Sequence, residues 1–461
     1  MGKEMDYKRP ALLVTTVAAF LVPFMGSSVN IALPSIGKEF AMDAVLLSWV
    51  TVSYLLSGAV FLVPFGRMAD IRGRKKTFLL GFVIYTITSL LCGIATSPLL
   101  LIFFRVLNGV GTSMTASTGM AMLMSIYPPE ERGKVLGINV AAVYTGLSCG
   151  PFLGGLLTQH LGWRSIFLAN VPLGLLIIVF TLWKLKGDWL EAKGEKFDLT
   201  GAILFSVALV AIMYGFSTLP GLQGVCFVLL GGFGFLAFLK WEMRTPSPIF
   251  ELSLFSRNRV FALSNLAALI NYSATFAVSF FISLYLQFIQ GHNPQEAGMV
   301  LVAQPLMQAI FSPLAGRLSD RIEPRVIAST GMALTAIGLF FLVFVDQETP
   351  IAFIIGSLLL LGLGFALFSS PNTNAVMSSV EKKSYGVASG TLGTMRATGM
   401  MFSMGMAMMI FAILIGRAQI TPPFYPAFMK SMKVAFAIST GLCVAGIFAS
   451  LSRGKVRSVQ P

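Results

Sequence analysis

The chain has 461 residues, 56% hydrophobic and 11% charged, with a net charge of +14 and a mean hydropathy of +0.81. A soluble domain of this size carries about 25% charged residues, so the composition excludes a soluble protein and predicts an integral membrane one. The cations are spread along the chain and gather on no soluble segment, so nucleic acid is not the expected partner.

Cys92, Cys149, Cys226 and Cys443 all lie in apolar runs at unrelated spacings, and His160 and His292 stand alone. No metal site, cofactor site or catalytic constellation can be built from that inventory, so an enzyme is not expected. The first apolar run is too long for a removable signal peptide.

Crossing a bilayer takes about 20 apolar residues. By that measure fourteen spanning segments are predicted, the first six centred near residues 22, 56, 87, 110, 145 and 175. The rest centre near 209, 232, 270, 306, 336, 361, 398 and 441. An even number puts both termini on one side, and the positive-inside rule makes that side the cytoplasm of a cell (plasma) membrane. Lys3, Lys8 and Arg9, the Lys184–Lys196 region, Arg244 to Arg259, Lys382, Lys383 and the tail Arg453, Lys455 and Arg457 then face inward. Lys38, Arg164, Arg417, Lys430 and Lys433 face outward, and only Arg105 and Arg396 lie well inside spans.

Segment 1 holds Met25 and Asn30, and Pro34 is expected to close or kink its last turn. Segment 2, with Tyr54, leads into GRMADIRGRKK, Gly66 to Lys76. Gly66 allows close packing and Gly73 a turn at positive φ. Asp70 is set to bond Arg74 or nearby backbone N–H groups, while Arg67, Arg72, Arg74, Lys75 and Lys76 hold the loop in the cytoplasm. Segment 4 carries RVLNGVGTS, where Arg105 needs a buried partner or a watery cavity, Asn108 lies one turn on, and Gly109 and Gly111 admit another backbone.

Segment 5, after Tyr144, carries a stripe of Gly146, Gly150 and Gly154, with Pro151 and Gly155 beside it. A smooth bent face of this kind is expected to pack on a helix of the other half. Segments 7 and 8 follow a polar stretch, Lys184 to Thr200, read as an amphipathic cytoplasmic linker.

Segment 9 holds Asn265, Asn271 and Tyr272, and segment 10 holds Gln304 and Gln308, four apart on one face. After segment 10 comes GRLSDRIEPR, with Gly316, Asp320 and Arg321, about 250 residues after the first loop. The same device after the second helix of each set predicts two related six-helix halves with segments 7 and 8 inserted between them. Asn372 and Asn374 are expected to close segment 12, with Pro371 interrupting it. Segment 13 carries Arg396 in mid-span among many methionines, which suit varied apolar ligands or plain packing.

Together these segments resemble the major facilitator superfamily, and within it the fourteen-helix drug:proton antiporter (multidrug efflux) family. Gly66–Lys76 is similar to its Gly-x-x-x-Asp-x-x-Gly-Arg loop, Arg105–Gly109–Gly111 to its helix-4 arginine motif, and Gly146–Gly150–Pro151–Gly154–Gly155 to its antiporter motif. Residues 32–36, 163–174 and 369–380 look like the fourteen-helix branch. The family's helix-1 aspartate falls at Met25 here, and no Asp or Glu lies well inside a predicted span.

The resemblance implies an all-α integral membrane protein with a major-facilitator-type fold. Residues 1–183 form one six-helix bundle, 184–245 a linker with helices 7 and 8, and 246–461 the second bundle. It implies a secondary transporter, a monomer in the bilayer, exporting amphipathic or lipophilic small molecules by alternating access, with protons as the expected coupling ion. Two cations without a buried acid leave open an uncoupled or differently coupled transporter of an anionic or lipid-like metabolite. From other classes, a polytopic membrane enzyme lacks its constellation and a non-transporting sensor lacks its signalling domain.

By the same resemblance, Gly66, Asp70, Arg72, Gly73, Arg74, Gly316, Asp320 and Arg321 form the cytoplasmic gate. Arg105, Asn108 and Arg396 serve coupling or the cavity. Met25, Asn30, Tyr54, Tyr144, Asn271, Gln304, Gln308 and Asn372 are candidates to line the substrate cavity.

Overall fold

The computed structural model describes residues 5–185, 187–189, 197–245, 252–381 and 385–454. Lys3, Lys382, Lys383, Lys455, Arg457 and residues 190–196 of the expected linker lie outside the described residues. With no water in the bilayer core, each crossing segment must close its backbone hydrogen bonds internally, and a helix does so. Among the described residues fourteen helices are long and apolar enough to span. They are α1 Tyr7–Glu39, α2 Ala44–Arg72, α3 Arg74–Gly93, α4 Pro98–Ile126, α5 Val135–Leu161, α6 Arg164–Lys184 and α7 Leu199–Thr218. The others are α8 Leu222–Glu242, α9 Arg259–Ile289, α10 Pro294–Ser319, α11 Pro324–Val343, α12 Ile351–Ser378, α13 Val387–Leu414 and α14 Pro422–Ser452. Each contains one of the fourteen centres read from the sequence.

Local chemistry sets the ends. Ser97 accepts from the Leu100 N–H at 3.3 Å, with Pro98 at the first position of α4. Asn258 caps α9 through Phe261 N–H at 2.9 Å, and Asn293 with Glu296 forms a reciprocal capping box at α10. Neither proline ends its helix: α1 runs on through Pro34 to Glu39, and α12, expected to close at Asn372 and Asn374, runs on through Pro371 and both asparagines to Ser378. Neighbouring packing tolerates a proline inside a buried membrane helix.

The chain forms two compact units, one from Met1–Met42, Trp49–Val210 and Gly231–Ile249, the other from Asp43–Ser48, Ala211–Leu230 and Phe250–Pro461. In the first, α1 packs on α5, and α3 packs on α4 and α6. In the second, α9 packs on α13, and α11 packs on α12 and α14. The same pairings therefore build both units.

Glycine makes the closest of these contacts. A methyl group on Gly111 of α4 would lie 2.7 Å from the Tyr85 nitrogen and 2.8 Å from the Gly81 oxygen of α3. On Gly364 of α12 it would lie 2.7 Å from the Thr335 nitrogen and 2.8 Å from the Gly331 oxygen of α11. Gly109 meets Tyr54 and Ser57 as Gly362 meets Gln304 and Met307, and Gly146 meets Phe20 as Gly399 meets Leu269. The partners sit at constant offsets: α1 to α9 by 249 residues, α2 and α3 to α10 and α11 by 250, α4 and α5 to α12 and α13 by 253. The repeat seen in two loops thus extends through five helices of each unit.

Because backbone stands where the side chain would go, Gly111→Ala and Gly364→Ala are each expected to cost about 1–3 kcal/mol. Unfolding temperature in detergent measures this. Gly26→Ala and Gly356→Ala, which meet nothing within 4 Å, should leave it unchanged or raise it.

Candidate functional site

The Gly66–Arg74 stretch, expected from the sequence as a loop, is helical except at Gly73, because α2 runs on to Arg72 and α3 begins at Arg74. This helical corner, the loop of the sequence reading, is held inside the first unit. Gly73, at φ +118°, separates α2 from α3. Arg74 is buried, and its guanidinium grips Asp70 Oδ1 through Nε at 2.8 Å and Nη2 at 2.7 Å. Nη1 donates to the Ala121 carbonyl of α4 at 3.0 Å and to the Ser125 hydroxyl. Gly66 lies against Ser117 of the same helix, and Arg72 is exposed at the end of α2. In the second unit Gly316 lies against Ser370 of α12, while Asn374 donates to Ser319 Oγ at 2.9 Å and to Asp320 Oδ1 at 3.3 Å. Arg321 is exposed there. Each loop is thus tied to the fourth helix of its own unit.

Arg105 is fully buried. Nε donates to the Val50 carbonyl of α2 at 3.1 Å, Nη1 to Asn108 Oδ1 at 3.4 Å, and the guanidinium lies 4.1 Å from the Tyr54 ring centre. A cation over an aromatic face recovers part of its lost hydration. Nη2 is buried with no hydrogen-bond partner in the protein. Asn108 Nδ2 ties the cluster to α3, donating to the Tyr85 carbonyl at 3.2 Å, Thr88 Oγ1 at 3.0 Å and Ser89 Oγ at 3.2 Å. Tyr85 OH donates to Asn170 Oδ1 of α6 at 3.0 Å, and Asn170 Nδ2 lies 3.9 Å from Met25 Sδ. Arg105, Asn108, Tyr85, Asn170 and Met25 are thus linked through the buried interior, with the Tyr85 ring standing between its carbonyl and its hydroxyl.

Three of those five, Arg105, Asn108 and Met25, were legible as candidates; Tyr85 and Asn170 were not. Asn170 lies in the 163–174 stretch that carried the resemblance, and that was the available signal. The repeat register sharpens Arg105 further. At the offset of 253 its counterpart in α12 is Leu358, and that of Asn108 is Leu361, both buried. The second unit fills with leucine the place where the first holds a guanidinium.

The remaining first-unit candidates lie on α1 and α5. Thr51 donates to Asn30 Oδ1 at 3.4 Å, and Tyr144 is half-buried on α5. Gly146, Gly150 and Gly154 press on Phe20, Ser27 and Ser28 of α1, and Ser28 Oγ donates to the Gly150 carbonyl at 2.9 Å. Pro151 and Gly155 are buried beside them. The stripe's partner is thus α1 of its own unit, where the sequence led us to expect a helix of the other half. A Cβ at Gly146 would meet the Phe20 carbonyl, and at Gly150 and Gly154 the Ser27 and Ser28 residues of α1.

In the second unit Asn271 of α9 is fully buried, and neither its amide nitrogen nor its oxygen has a hydrogen-bond partner. Arg396 Nη2 donates to Thr373 Oγ1 at 2.5 Å, its guanidinium lies 5.7 Å from the Tyr272 ring centre, and its Nε is unpaired. Gln304 is half-buried and Gln308 buried. Asn372 is committed elsewhere: it donates to the Ser264 carbonyl at 3.0 Å and accepts from Arg453 at 2.7 Å.

Arg453 itself is fully buried at the end of α14, where the sequence placed it in a solvated tail. Burial pushes its guanidinium down to about 10, opposed by Glu323, so it stays charged at neutral pH. A single cation just past a hydrophobic run gives no sign of whether it turns inward.

Among the described residues no cluster of acids, histidines and cysteines fits a metal ion. Twinned helical units and, among the described residues, fourteen candidate spans with buried polar groups give the architecture of a multi-pass membrane transporter. The chain belongs to the Major Facilitator Superfamily, whose family model matches residues 15–263 and 264–459.

A riboflavin transporter, RibZ of Clostridioides difficile (strain 630), is 29% identical over 448 residues, 96% of this chain and 97% of that protein. Multidrug resistance protein Stp of Mycobacterium tuberculosis is 32% identical over 394 residues, 84% of this chain and 73% of that one. The cephamycin export protein CmcT of Amycolatopsis lactamdurans is 32% identical over 410 residues, 87% and 84% of the two chains. A bacterial homologue of the human lysosomal transporter Spinster shares the fold, with a TM-score of 0.67 over 98% of this chain and 97% of that one, at 16% identity.

Arg105→Leu installs the residue the repeat uses at the same place. Replacing a buried ion by a packed apolar residue is neutral or stabilising by about 1–4 kcal/mol. Arg105→Leu should therefore leave the unfolding temperature in detergent unchanged or raised, whereas Arg105→Ala, which opens a cavity, should lower it, with a loss of stability of about 2 kcal/mol or more.

Proposed function

We propose that the chain is a secondary active exporter of amphipathic small molecules that works by alternating access with both termini in the cytoplasm, and that it favours neutral or anionic substrates. The observation that carries this reading is the unpaired Arg105 Nη2, in spans that hold no central acid. Among the described residues Glu39, Asp70, Glu242 and Glu296 lie within three residues of a helix end. Leaving a donor to a charged group buried and unmade costs about 1–3 kcal/mol or more, and a substrate oxygen arriving there recovers it. The Asn271 amide offers a second donor and acceptor in the other unit. Relatives named for riboflavin transport, multidrug resistance and cephamycin export support a substrate that is organic and amphipathic.

In this reading the two loops at Asp70 and Asp320 latch the cytoplasmic side, and the α5 stripe lets α1 and α5 bend together. Proton antiport is a second reading, favoured by one pair: His292 Nδ1 lies 3.0 Å from Glu296 Oε2 at the start of α10.

The test is uptake into proteoliposomes under an imposed pH gradient, with a pH-sensitive dye inside and ethidium, riboflavin and fluorescein as cationic, neutral and anionic probes. Fluorescein and riboflavin should move, and Arg105→Leu should lower fluorescein transport about tenfold, equivalent to about 1.4 kcal/mol. Transport of ethidium alone would overturn the substrate class. Substrate-dependent proton flux abolished by Glu296→Gln would establish antiport, and transport without such flux would remove it.

A further inference from the structure

The amino end of α3, the helix that follows the Gly66–Arg74 loop, has no cap of its own: Gly73 stands at the capping position and carries no side chain. Its first N–H groups are met from residues more than a hundred positions later. Arg74 N–H donates to the Trp189 carbonyl at 3.0 Å, and Lys75 N–H donates to Asp188 Oδ1 at 2.9 Å. Lys75 Nζ also reaches the Leu185 carbonyl. Leu185 is fully buried with Ala11 and Met122, and Trp189 packs on the same cluster, so the short stretch after α6 is anchored where it crosses the loop.

A methyl group at Gly73 would overlap the Asp188 carboxylate, so this glycine is required twice, once by its φ and once by the acid beside it. The second copy differs at the position matching Arg74. There Pro324 occupies the first position of α11, removing the donor that Arg74 presents in the first copy. The stretch that supplies Asp188 leads on to α7 and α8, the pair for which the repeat supplies no equivalent.

We propose that Asp188 is a positioning residue of the Gly66–Arg74 loop, capping α3 from outside its own hairpin so that Arg74 holds Asp70 and α4 in one geometry. The carboxylate sets the backbone of residues 73–75, and that backbone aims the Arg74 guanidinium. Residues 188 and 189 are thereby tied to the loop, and the loop cannot rearrange without breaking the Asp188 cap. This rests on the reading of the loop as a gate of an exporter.

The test compares the full-length protein with Asp188→Ala and Asp188→Asn in lipid vesicles. Asparagine caps a helix as well as aspartate does, so it is the conservative rescue. Hydrogen exchange of the peptide covering residues 73–78 should speed at least tenfold in Asp188→Ala and return to the parent rate in Asp188→Asn. Fluorescein export should lose at least fivefold in turnover at saturating dye in Asp188→Ala with KM unchanged, and recover in Asp188→Asn. Unchanged exchange in Asp188→Ala overturns the cap, whether or not any dye is carried. Faster exchange with parent turnover overturns the positioning role and leaves the export reading standing. If Asp188→Ala does not fold, failure of Asp188→Asn to keep parent exchange overturns the proposal in its place.

Discussion

The structure depends on one constraint, the approach of helix backbones to within the reach of a glycine. In a bilayer the hydrophobic effect no longer drives helices together, so association rests on close packing and on polar groups that find one another. Gly81 with Gly111, and Gly331 with Gly364, bring α3 onto α4 and α11 onto α12 until main chain meets main chain. Gly146, Gly150 and Gly154 do the same for α5 on α1. Side chains such as Ser28, which donates to the Gly150 carbonyl, can act only because that approach has been made.

The repeat in the packing makes the lack of repeat in the polar residues informative. Two units with the same helix pairings have no structural reason to differ in the interior of one position. Yet Arg105 faces Leu358 across the register, and Asn108 faces Leu361. The second unit buries its own arginine, Arg453, at the end of α14 against Ser264 and Asn372. Among the described residues Arg105 in the first unit and Arg453 in the second are the cations with no exposed surface, and the two occupy different places in the fold. Burying a guanidinium costs several kcal/mol even with partners, so neither position is an accident of packing.

Much of the fold was legible in the sequence because a membrane simplifies the code: length and apolarity locate a span without knowledge of its neighbours. All fourteen spans were found that way, and the twinned loops revealed the repeat. The prolines misled, since Pro34 and Pro371 break a helix in water but not among supporting neighbours. The glycine stripe of α5 was recognised but assigned to the wrong partner, because a sequence shows that a face is smooth and not what lies on it. Asn170, Tyr85 and Asp188 were missed for a related reason. Each acts on a residue 85 or more positions away, Asn170 and Tyr85 on each other and Asp188 on Lys75, and nothing local distinguishes such a residue from its neighbours.

The offsets between the two units are not uniform, and their changes fall in particular places. Between α9 and α10 the second unit has gained one residue over the first, and α9 ends in a π turn, Tyr285–Ile289, closed by Gln290 N–H to the Tyr285 carbonyl at 3.1 Å. A wider turn holds one more residue without displacing the next helix. Between α11 and α12 the second unit has gained three, in the connection after Val343 that leads to Ile351. These additions are far apart along the chain and adjacent in space: Tyr285 OH donates to the Asp346 carbonyl at 2.6 Å, and Gln290 Nε2 to the Thr349 carbonyl at 2.8 Å. The lengthened helix end and the lengthened hairpin fit each other. The two places where the halves differ in length therefore meet at one point of the second unit and are joined there by two hydrogen bonds.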